Sequence, residues 1–262
     1  MFSMMTLNVW NTEGRWQERR ELILAWIDLL DPDVVALQEL LSGDGVDQLS
    51  ELTPHHVYRA YAPQAPYWNN RALLIGVGIA SRHRLDDVEV VALPSHPADP
   101  RVALAASVLA GARRIPVITT HLTWIATAAE QRLQQTRAIS VLVAQRRNVQ
   151  SPVVVCGDFN DDADSDAIRF LTGRHARADA KSFLIDTWTM AGDGTAGHTF
   201  TKQNANLRSI PLPDRRIDYV FVSLPPTNEF GRLQTCRRIA DIASGDLFPS
   251  DHFELYVELF TG

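Results

Sequence analysis

The sequence contains few cysteines. Its 262 residues include two of them, Cys156 and Cys236. Two cysteines cannot build a disulfide scaffold, and the absence of a Cys-x-x-Cys pair argues against a zinc site. Cys156 follows the apolar run formed by residues 153–155, so we expect its thiol to be buried.

Long hydrophobic runs are also absent. No window approaches the length of about 20 apolar residues that a transmembrane helix needs. The N-terminal segment MFSMMTLNVW has neither the basic start nor the apolar core of a signal peptide. We therefore expect a soluble, cytoplasmic protein without integral membrane association.

Positive charge is scarce as well. The chain has 25 Lys and Arg against 31 Asp and Glu, a formal net charge of −6 and a pI of about 5.7. Proteins that bind nucleic acids tightly and non-specifically usually show the opposite sign. Arginine pairs occur in the scattered segments GARRI, AQRRN, RRIDYVF and CRRIA, without a sustained basic run interleaved with aromatics.

Several catalytic signatures are missing. No Gly-x-Ser-x-Gly elbow suggests a triad hydrolase, and no Gly-Lys-Ser/Thr loop suggests an NTPase. The acidic run DFNDDADSD, which begins at Asp158, fails as an EF-hand loop. Ala163 and Arg169 stand where that loop needs glycine and glutamate.

What the sequence does contain is the ordinary apolar content of a globular protein, 45% hydrophobic residues, arranged as many short strands. Strands are predicted at MMTLNV, VVALQEL, LLIGVGIAS, VALAASVL, IPVITTHL, PVVVCGDF, RRIDYVFV and FELYVEL. Helical spacing of apolar residues predicts helices over residues 15–30 and 127–147. This pattern favours an α/β fold of two face-to-face sheets with helices outside, in one domain over residues 1–262.

One long segment, residues 192–213, shows little periodicity. Long irregular loops in compact domains are often functional, and equally often are tolerated surface insertions. His198, Thr199 and Asn206 on this segment are candidates for substrate contact, but we expect each to be solvated.

Polar residues recur at the ends of the apolar strand runs. If the strands end at one edge, these side chains meet there, and carboxylates, amides and imidazoles suit a hard metal ion and a phosphate. Each residue alone also has a simpler explanation, such as turn chemistry at Gly-Asp-Phe-Asn or a rim histidine. Only the joint set points to a site: Asn8, Glu39, His121, Asp158, Asn160, Asp218, Asp251 and His252.

The segments TLNVWN, LQE, TTHL, GDFND, RRIDYVFV and SDHF resemble the endonuclease/exonuclease/phosphatase superfamily, from Thr6 to Phe253. The superfamily includes DNase I-like nucleases, abasic-site endonucleases, sphingomyelinases, inositol-polyphosphate phosphatases, deadenylases and tyrosyl-DNA phosphodiesterases. The resemblance implies a four-layered α/β/β/α sandwich of the DNase I type. The run NVWN at residues 8–11 departs from the Asn-x-Asn-Gly start of abasic-site enzymes. TTHL and HTF…RRIDYVFV are more similar to the sphingomyelinase, deadenylase and tyrosyl-phosphodiesterase branches.

The resemblance also implies a metal site. Glu39 would bind Mg²⁺ or Mn²⁺ with Asn8 beside it. Asp251 would complete the metal or water network.

The remaining residues would act on the phosphate. Asp158 would handle a water and Asn160 would hold a phosphate oxygen. His121 would donate a hydrogen bond to the phosphate or protonate the leaving group. Asp218 would orient His252, as a carboxylate orients an imidazole in a triad. Either Asp158 or His252 would serve as the general base.

We therefore expect a phosphoesterase that depends on a divalent metal and hydrolyses a phosphodiester by metal-assisted attack of water. The alternative within the same fold is a DNA or RNA nuclease, because a bound metal supplies positive charge that the sequence does not count. An inactive binding module is less favoured, because a lost activity normally appears as a missing site residue. The scattered arginines favour a compact substrate that touches few phosphates.

Overall fold

The computed structural model describes residues 1–148, 151–178, 183–224 and 231–260. Its elements in chain order are β1 Phe2–Asn8, α1 Trp16–Leu30, β2 Val34–Gly43, β3 Val46–Asp47, α2 Gln48–Leu52, β4 Tyr58–Pro66, β5 Leu74–Ser81, β6 Leu85–Leu93, β7 Arg101–Ala110, β8 Arg113–His121, α3 Ala129–Arg146, β9 Val154–Asp158, α4 Asp166–Leu171, β10 Leu184–Asp186, α5 Thr187–Ala191, β11 Asp218–Ser223, β12 Leu233–Ile239 and β13 Glu254–Leu259. A short 3-10 helix, Ala205–Leu207, lies in the long irregular segment.

The strands form two sheets. The first has the order β12-β13-β1-β2-β5-β4, with β3 paired to β2, and the second has the order β10-β11-β9-β8-β7-β6. Each sheet has one parallel pair at its centre, β1–β2 in the first and β8–β9 in the second. A parallel pair needs a crossover connection, and α1 and α3 supply the two crossovers.

Three apolar layers hold the sandwich together. Successive residues of a strand face opposite sides of the sheet. On β9, Val154 therefore packs between the two sheets, whereas Val155 packs with Leu133 of α3 on the outer face. On the other side, Leu37 of β2 packs with Ile23 of α1. The predicted four-layered α/β/β/α arrangement is confirmed.

The two predicted helices are confirmed, but three strand boundaries differ from the prediction. β2 continues beyond Glu39 to Gly43, so Glu39 does not end the strand. β11 begins at Asp218, whereas the predicted strand RRIDYVFV begins at Arg215. β13 begins at Glu254, so Asp251 and His252 lie in the turn before the strand. Neither Cys156 nor Cys236 is exposed, as expected for Cys156.

None of the helices in the described part of the chain combines the length and apolar character needed to span a bilayer.

Glu254, the first residue of β13, has an unpartnered carboxyl group. The side chain is fully buried, and neither oxygen has a hydrogen-bond partner among the described residues. Burial disfavours the charged form and raises the pKa of Glu254 to about 8. The folded protein therefore holds this carboxyl group neutral at pH 7.

This burial predicts a pH dependence of stability. Between the ordinary value of 4.5 and about 8, the folded state keeps a proton on Glu254 that the unfolded state has released. The free energy of unfolding must therefore fall as pH rises through that window. We expect Glu254→Gln, which cannot ionise, to lose less thermal stability than the wild type between pH 5 and pH 8. Parallel pH profiles of Tm in the two proteins would contradict this.

Candidate active site

Three candidate residues lie abreast on neighbouring strands of the second sheet. His121 ends β8 and Asp158 ends β9, and the two are direct partners in the parallel register. Asp218 begins β11 and pairs with Asp158 in the antiparallel register. Since these strands are adjacent, the three side chains meet at one edge of the sheet.

The first sheet contributes Asn8 and Glu39 to the same edge. Asn8 ends β1 and pairs with Gln38 of β2. Directly after Gln38 the register between β2 and β5 shifts, and Glu39 takes a left-handed backbone conformation with φ of 59°. A bulge of this kind redirects a side chain, and such bulges are common beside active sites. Glu39 therefore reaches the site from within a strand, not from a strand end.

The Asn8 side chain links the two sheets. Its amide nitrogen donates to Glu39 Oε1 and to Asp158 Oδ2, at 3.1 Å each. Its amide oxygen accepts from the backbone N–H of Trp10 at 3.0 Å. Asn8 thus places the Glu39 and Asp158 carboxylates beside one another, although they belong to different sheets.

Asn11 is a site residue that the sequence reasoning missed. Its amide nitrogen donates to Glu39 Oε2 at 2.9 Å, so both Glu39 oxygens are held. Its amide oxygen accepts from the Tyr67 hydroxyl at 3.0 Å. Asn11 is the second asparagine of the run NVWN at residues 8–11, and its position in that run is the sequence feature that could have identified it.

Asp218 and His252 form a buried pair. Nδ1 of His252 lies 2.8 Å from Asp218 Oδ2. Burial alone would lower the pKa of His252, but the carboxylates of Asp218 and Asp251 outweigh it and raise the pKa well above its ordinary value. These carboxylates therefore favour the protonated ring, and its Nε2 lies 3.9 Å from Asp158 Oδ2.

The Asp158 carboxylate lies at the centre of this group. Burial raises its pKa, nearby Asp218 raises it further, and the pKa reaches about 7. Its Oδ1 accepts from the backbone N–H of Asn160 at 2.8 Å. The preceding Gly157 has φ of +130°, and a Cβ there would lie 2.0 Å from the Thr120 carbonyl oxygen. Only glycine allows β9 to present Asp158 at this place.

His121 is neutral. Burial is the main cause, and the charge of Arg101 also lowers its pKa well below the ordinary value. Nε2 lies 3.5 Å from Asp158 Oδ2, whereas Nδ1 has no hydrogen-bond partner among the described residues. Buried polar atoms are normally paired, so the unpaired Nδ1 is an exception, while Nε2 is the ring nitrogen that faces the Asp158 carboxylate.

Asn160 follows Asp158 in the loop after β9. Its backbone is left-handed, with φ of 52°, which asparagine tolerates better than most residues. One hydrogen of its side-chain amide is donated to the Leu122 carbonyl oxygen at 3.1 Å. The amide has a second hydrogen, which is available to an anion in the cavity.

Asp251 lies in the turn before β13. Ser250 Oγ is 3.2 Å from its Oδ1 and also donates to the Asn8 carbonyl oxygen at 2.6 Å. Burial is the main reason that the pKa of Asp251 rises to about 6.

Arg19 of α1 holds the two loops beside the site and was not predicted. The side chain is fully buried, and its guanidinium lies 4.9 Å from the centre of the Trp10 ring. It donates at 2.8–3.3 Å to the backbone carbonyl oxygens of Val9, Trp10, Asn11, Glu13 and Pro249. These contacts join the segment after β1 to the turn that carries Asp251.

The irregular segment before β11 supports the site from behind. Thr199 is buried rather than solvated, and its hydroxyl accepts from the backbone N–H groups of Ile217 and Asp218 at 3.2 Å each. Asn206 donates to the Ser250 carbonyl oxygen at 3.1 Å. The expectation of solvated side chains is therefore wrong for Thr199, because this segment packs against the strand that begins with Asp218.

The structure brings all eight candidates together. A cavity of about 460 Å³, which also includes Trp68, Trp124 and Arg215 in its wall, is lined by Asn8, Glu39, His121, Asp158, Asn160, Asp251 and His252. Asp218 lies behind His252. Carboxylate and amide oxygens are the ligands that hard divalent cations prefer, so the donor set of this wall fits such an ion.

A second possible cation position lies between Asp158 and Asp218 of the second sheet and His252, which precedes β13 of the first sheet. One potential ligand atom each of Asp158, Asp218 and His252 lies within 4.8 Å of the others. However, Asp218 and His252 already occupy each other through a hydrogen bond. The Glu39 side of the cavity, where the Asp251 carboxyl group also lies, therefore fits a cation better.

The chain matches the family model described as Endonuclease/Exonuclease/phosphatase family over residues 5–252. No curated protein matches it. Among solved structures, D. rerio TDP2 complexed with single strand DNA product has a TM-score of 0.79 at 20% identity, covering 99% of each chain. The human Nocturnin catalytic domain with bound sulfate has a TM-score of 0.76 at 19% identity, covering 99% of this chain and 93% of that one. An endonuclease/exonuclease/phosphatase from Beutenbergia cavernae DSM 12333 has a TM-score of 0.74 at 23% identity, covering 100% of this chain and 72% of that one.

These structures share the fold, and the family model spans nearly the whole chain. The chain therefore belongs to the endonuclease/exonuclease/phosphatase family of phosphate-ester hydrolases.

Proposed function

We propose that the chain is a single catalytic domain that hydrolyses a phosphodiester with Mg²⁺ or Mn²⁺ and a water nucleophile. One observation carries the proposal: the Asn8 amide contacts both Glu39 and Asp158. It thereby links Glu39 of the first sheet to Asp158 of the second sheet, beside the Asp218–His252 pair. A cavity that combines both groups has what phosphate-ester hydrolysis needs.

Glu39 would hold the cation, with Asn8 and Asp251 completing its surroundings. Asn8 and Asn11 fix both Glu39 oxygens, which keeps the carboxylate in one orientation. When bound, the cation would neutralise charge on the phosphate and stabilise the leaving oxygen.

The protein's own groups would manage the proton and the remaining charge. Asp158 would accept a proton from the attacking water, because its pKa of about 7 suits a base at neutral pH. His252, charged and oriented by Asp218, would donate a hydrogen bond to the phosphate. His121 and Asn160 would add donors from the same wall without adding negative charge.

The nuclease alternative has support of its own, since the D. rerio TDP2 relative of this fold was crystallised with a DNA product. An inactive binding module has less support, because all eight site residues are present and lie together at one edge of the sandwich. A panel of phosphomonoesters, phosphodiesters, phospholipids and single- and double-stranded DNA, each with Mg²⁺ and Mn²⁺, would test the proposal directly. Hydrolysis of none of them would overturn it.

Metal removal provides the first prediction from the site. Excess EDTA should abolish turnover, and added Mg²⁺ or Mn²⁺ should restore it. Glu39→Gln should raise the metal concentration needed for half-maximal rate at least tenfold, because it removes a charged ligand. Glu18→Gln, on the exposed face of α1, is the matched control and should leave that concentration unchanged. Full activity in EDTA would refute the metal role.

The Asp218–His252 pair provides a second prediction. If Asp218 acts by orienting His252, Asp218→Ala and His252→Ala should each lower kcat by about 10²-fold or more, and the double variant should lower it little further. The control is a second histidine–aspartate pair, His83 and Asp33, whose contact is also 2.8 Å. Asp33 directly precedes the first residue of β2, whereas Glu39 lies further along that strand. Removing His83 should not change kcat. Losses that multiply in the Asp218–His252 double variant would mean that the two residues act independently.

Salt dependence distinguishes the compact substrate from a long nucleic acid. Binding to many DNA phosphates weakens with salt by a log–log slope of roughly −0.9 per neutralised phosphate. With 25 basic and 31 acidic residues, the chain is expected to contact few phosphates. We therefore expect the logarithm of kcat/KM to fall with the logarithm of the salt concentration with a slope no steeper than about −2, which corresponds to about two phosphate contacts. A steeper slope on a long DNA substrate would favour the nuclease.

A further inference from the structure

Two exposed tryptophans lie at the boundary between the cavity lined by the candidate site residues, here called the catalytic cavity, and a second cavity. Trp68 is 59% exposed and Trp124 is 68% exposed. The second cavity also has a volume of about 460 Å³. Four residues line both cavities: Glu39, Trp68, His121 and Trp124. The two spaces are therefore adjacent, with a cation ligand and the neutral histidine in their shared wall.

The wall of the second cavity is mainly apolar, with a few charged groups. Its apolar surface comes from Ala65, Pro66, Ile75, Ala98 and Pro100, in addition to the two tryptophans. Small-molecule sites commonly combine such walls with a few polar groups that fix the orientation of the ligand.

Hydrogen bonds hold the backbone on both sides of Trp124. Arg132 of α3 is buried and donates to the carbonyl oxygens on either side of Trp124, at 3.3 Å to Thr123 and 2.8 Å to Ile125. The N–H of Thr123 donates to the Gln135 side chain at 3.2 Å. Because the backbone is already ordered, stacking on this ring would cost little conformational entropy.

Trp68 is linked to the cation site. Its ring packs on Tyr67 with 4.6 Å between ring centres. The Tyr67 hydroxyl donates to Asn11, and Asn11 in turn donates to Glu39. A chain of contacts thus runs from this tryptophan to the carboxylate proposed to hold the cation.

Arg71 adds an uncommitted positive charge. It lines the second cavity, is exposed and makes no hydrogen bond or ion pair with any described residue. By contrast, Arg101 in the same wall is held by Asp99 at 2.5 Å. The Arg71 guanidinium is therefore available to donate hydrogen bonds to the polar edge of a ligand or to pair with its negative charge.

We infer that the second cavity is a subsite for a nucleobase on one side of the scissile phosphate. The base stacks on Trp68 and Trp124 and presents its polar edge toward Arg71. The inference rests on the proposed function for the position of the phosphate, which lies in the catalytic cavity beside His121. A short nucleotide fits both the aromatic wall and the expectation of few phosphate contacts. Single exposed apolar residues are common on protein surfaces, but here two tryptophans border the same cavity, and exposed aromatic rings are the groups on which bases stack.

The test compares substrates with and without a base. The substrates are thymidylyl-(3′→5′)-thymidine and two analogues in which one or the other base is replaced by hydrogen. The variants are Trp68→Ala, Trp124→Ala, their double variant, and the Trp→Phe versions. Leu29→Ala, which truncates an exposed residue of α1 that lines neither cavity, is the control.

Alanine substitution of a stacking aromatic weakens base binding by roughly 10- to 100-fold. We expect the double alanine variant to lose that factor in kcat/KM on the intact dinucleotide, and less than about threefold on the analogue that lacks the stacked base. Phenylalanine should retain most of the activity, and Leu29→Ala should match the wild type on every substrate. Equal losses with and without the base would overturn the subsite.

A binding measurement separates this inference from the proposed function. In isothermal titration calorimetry, thymidine 5′-monophosphate should bind the wild type and Leu29→Ala, with affinity at least tenfold lower in the double alanine variant. Such binding without hydrolysis of any phosphodiester would support the subsite and overturn the proposed function. Hydrolysis of other phosphodiesters, without base-dependent binding or rate, would support the function and overturn the subsite.

Discussion

The placing of four carboxyl groups close together at one edge of the sandwich is the constraint on which the site depends. Glu39, Asp158 and Asp251 line one cavity, and Asp218 lies directly behind it. Burial and their neighbours raise the pKa of Asp158 to about 7 and that of Asp251 to about 6, so the protein alone does not fully offset the negative charge. The charged ring of His252 offsets part of it. The remainder is what makes this edge of the sandwich suitable for a divalent cation and a proton-accepting carboxylate.

The fold meets this constraint by holding irregular backbone with buried arginines. Arg19 donates to carbonyl oxygens of the segment after β1 and of the turn before β13, and its charge also lies near Asp251. Arg132 does the same for the backbone around Trp124. A guanidinium has five N–H donors in a rigid plane, so one side chain satisfies several carbonyl oxygens that no strand or helix would pair. The site loops are thereby ordered without belonging to a regular element.

The two cavities are physically connected in this arrangement. The contacts from Trp68 through Tyr67 and Asn11 reach Glu39, and His121 belongs to the walls of both cavities. A group that binds between the tryptophans would therefore be positioned relative to the reacting phosphate by the same side chains that orient the proposed cation ligand. Precise placement of this kind is a large part of how phosphate esters are hydrolysed, since little covalent chemistry is asked of the protein.

The sequence by itself determined the layered fold, both long helices and the meeting of all eight candidate residues at one edge, because strand ends, helical periodicity and short motifs such as Gly-Asp-Phe-Asn are local features. Only the tertiary structure decided how these residues cooperate. The bulge at Glu39, the part played by Asn11 and the support from Thr199 depend on partners distant in the chain. Asn8 and Asp158 are separated by 150 positions, and Ser250 and Asn8 by 242. Such contacts exist only once two sheets have packed together, and no local pattern in the sequence records which side chains that packing will bring within hydrogen-bond reach.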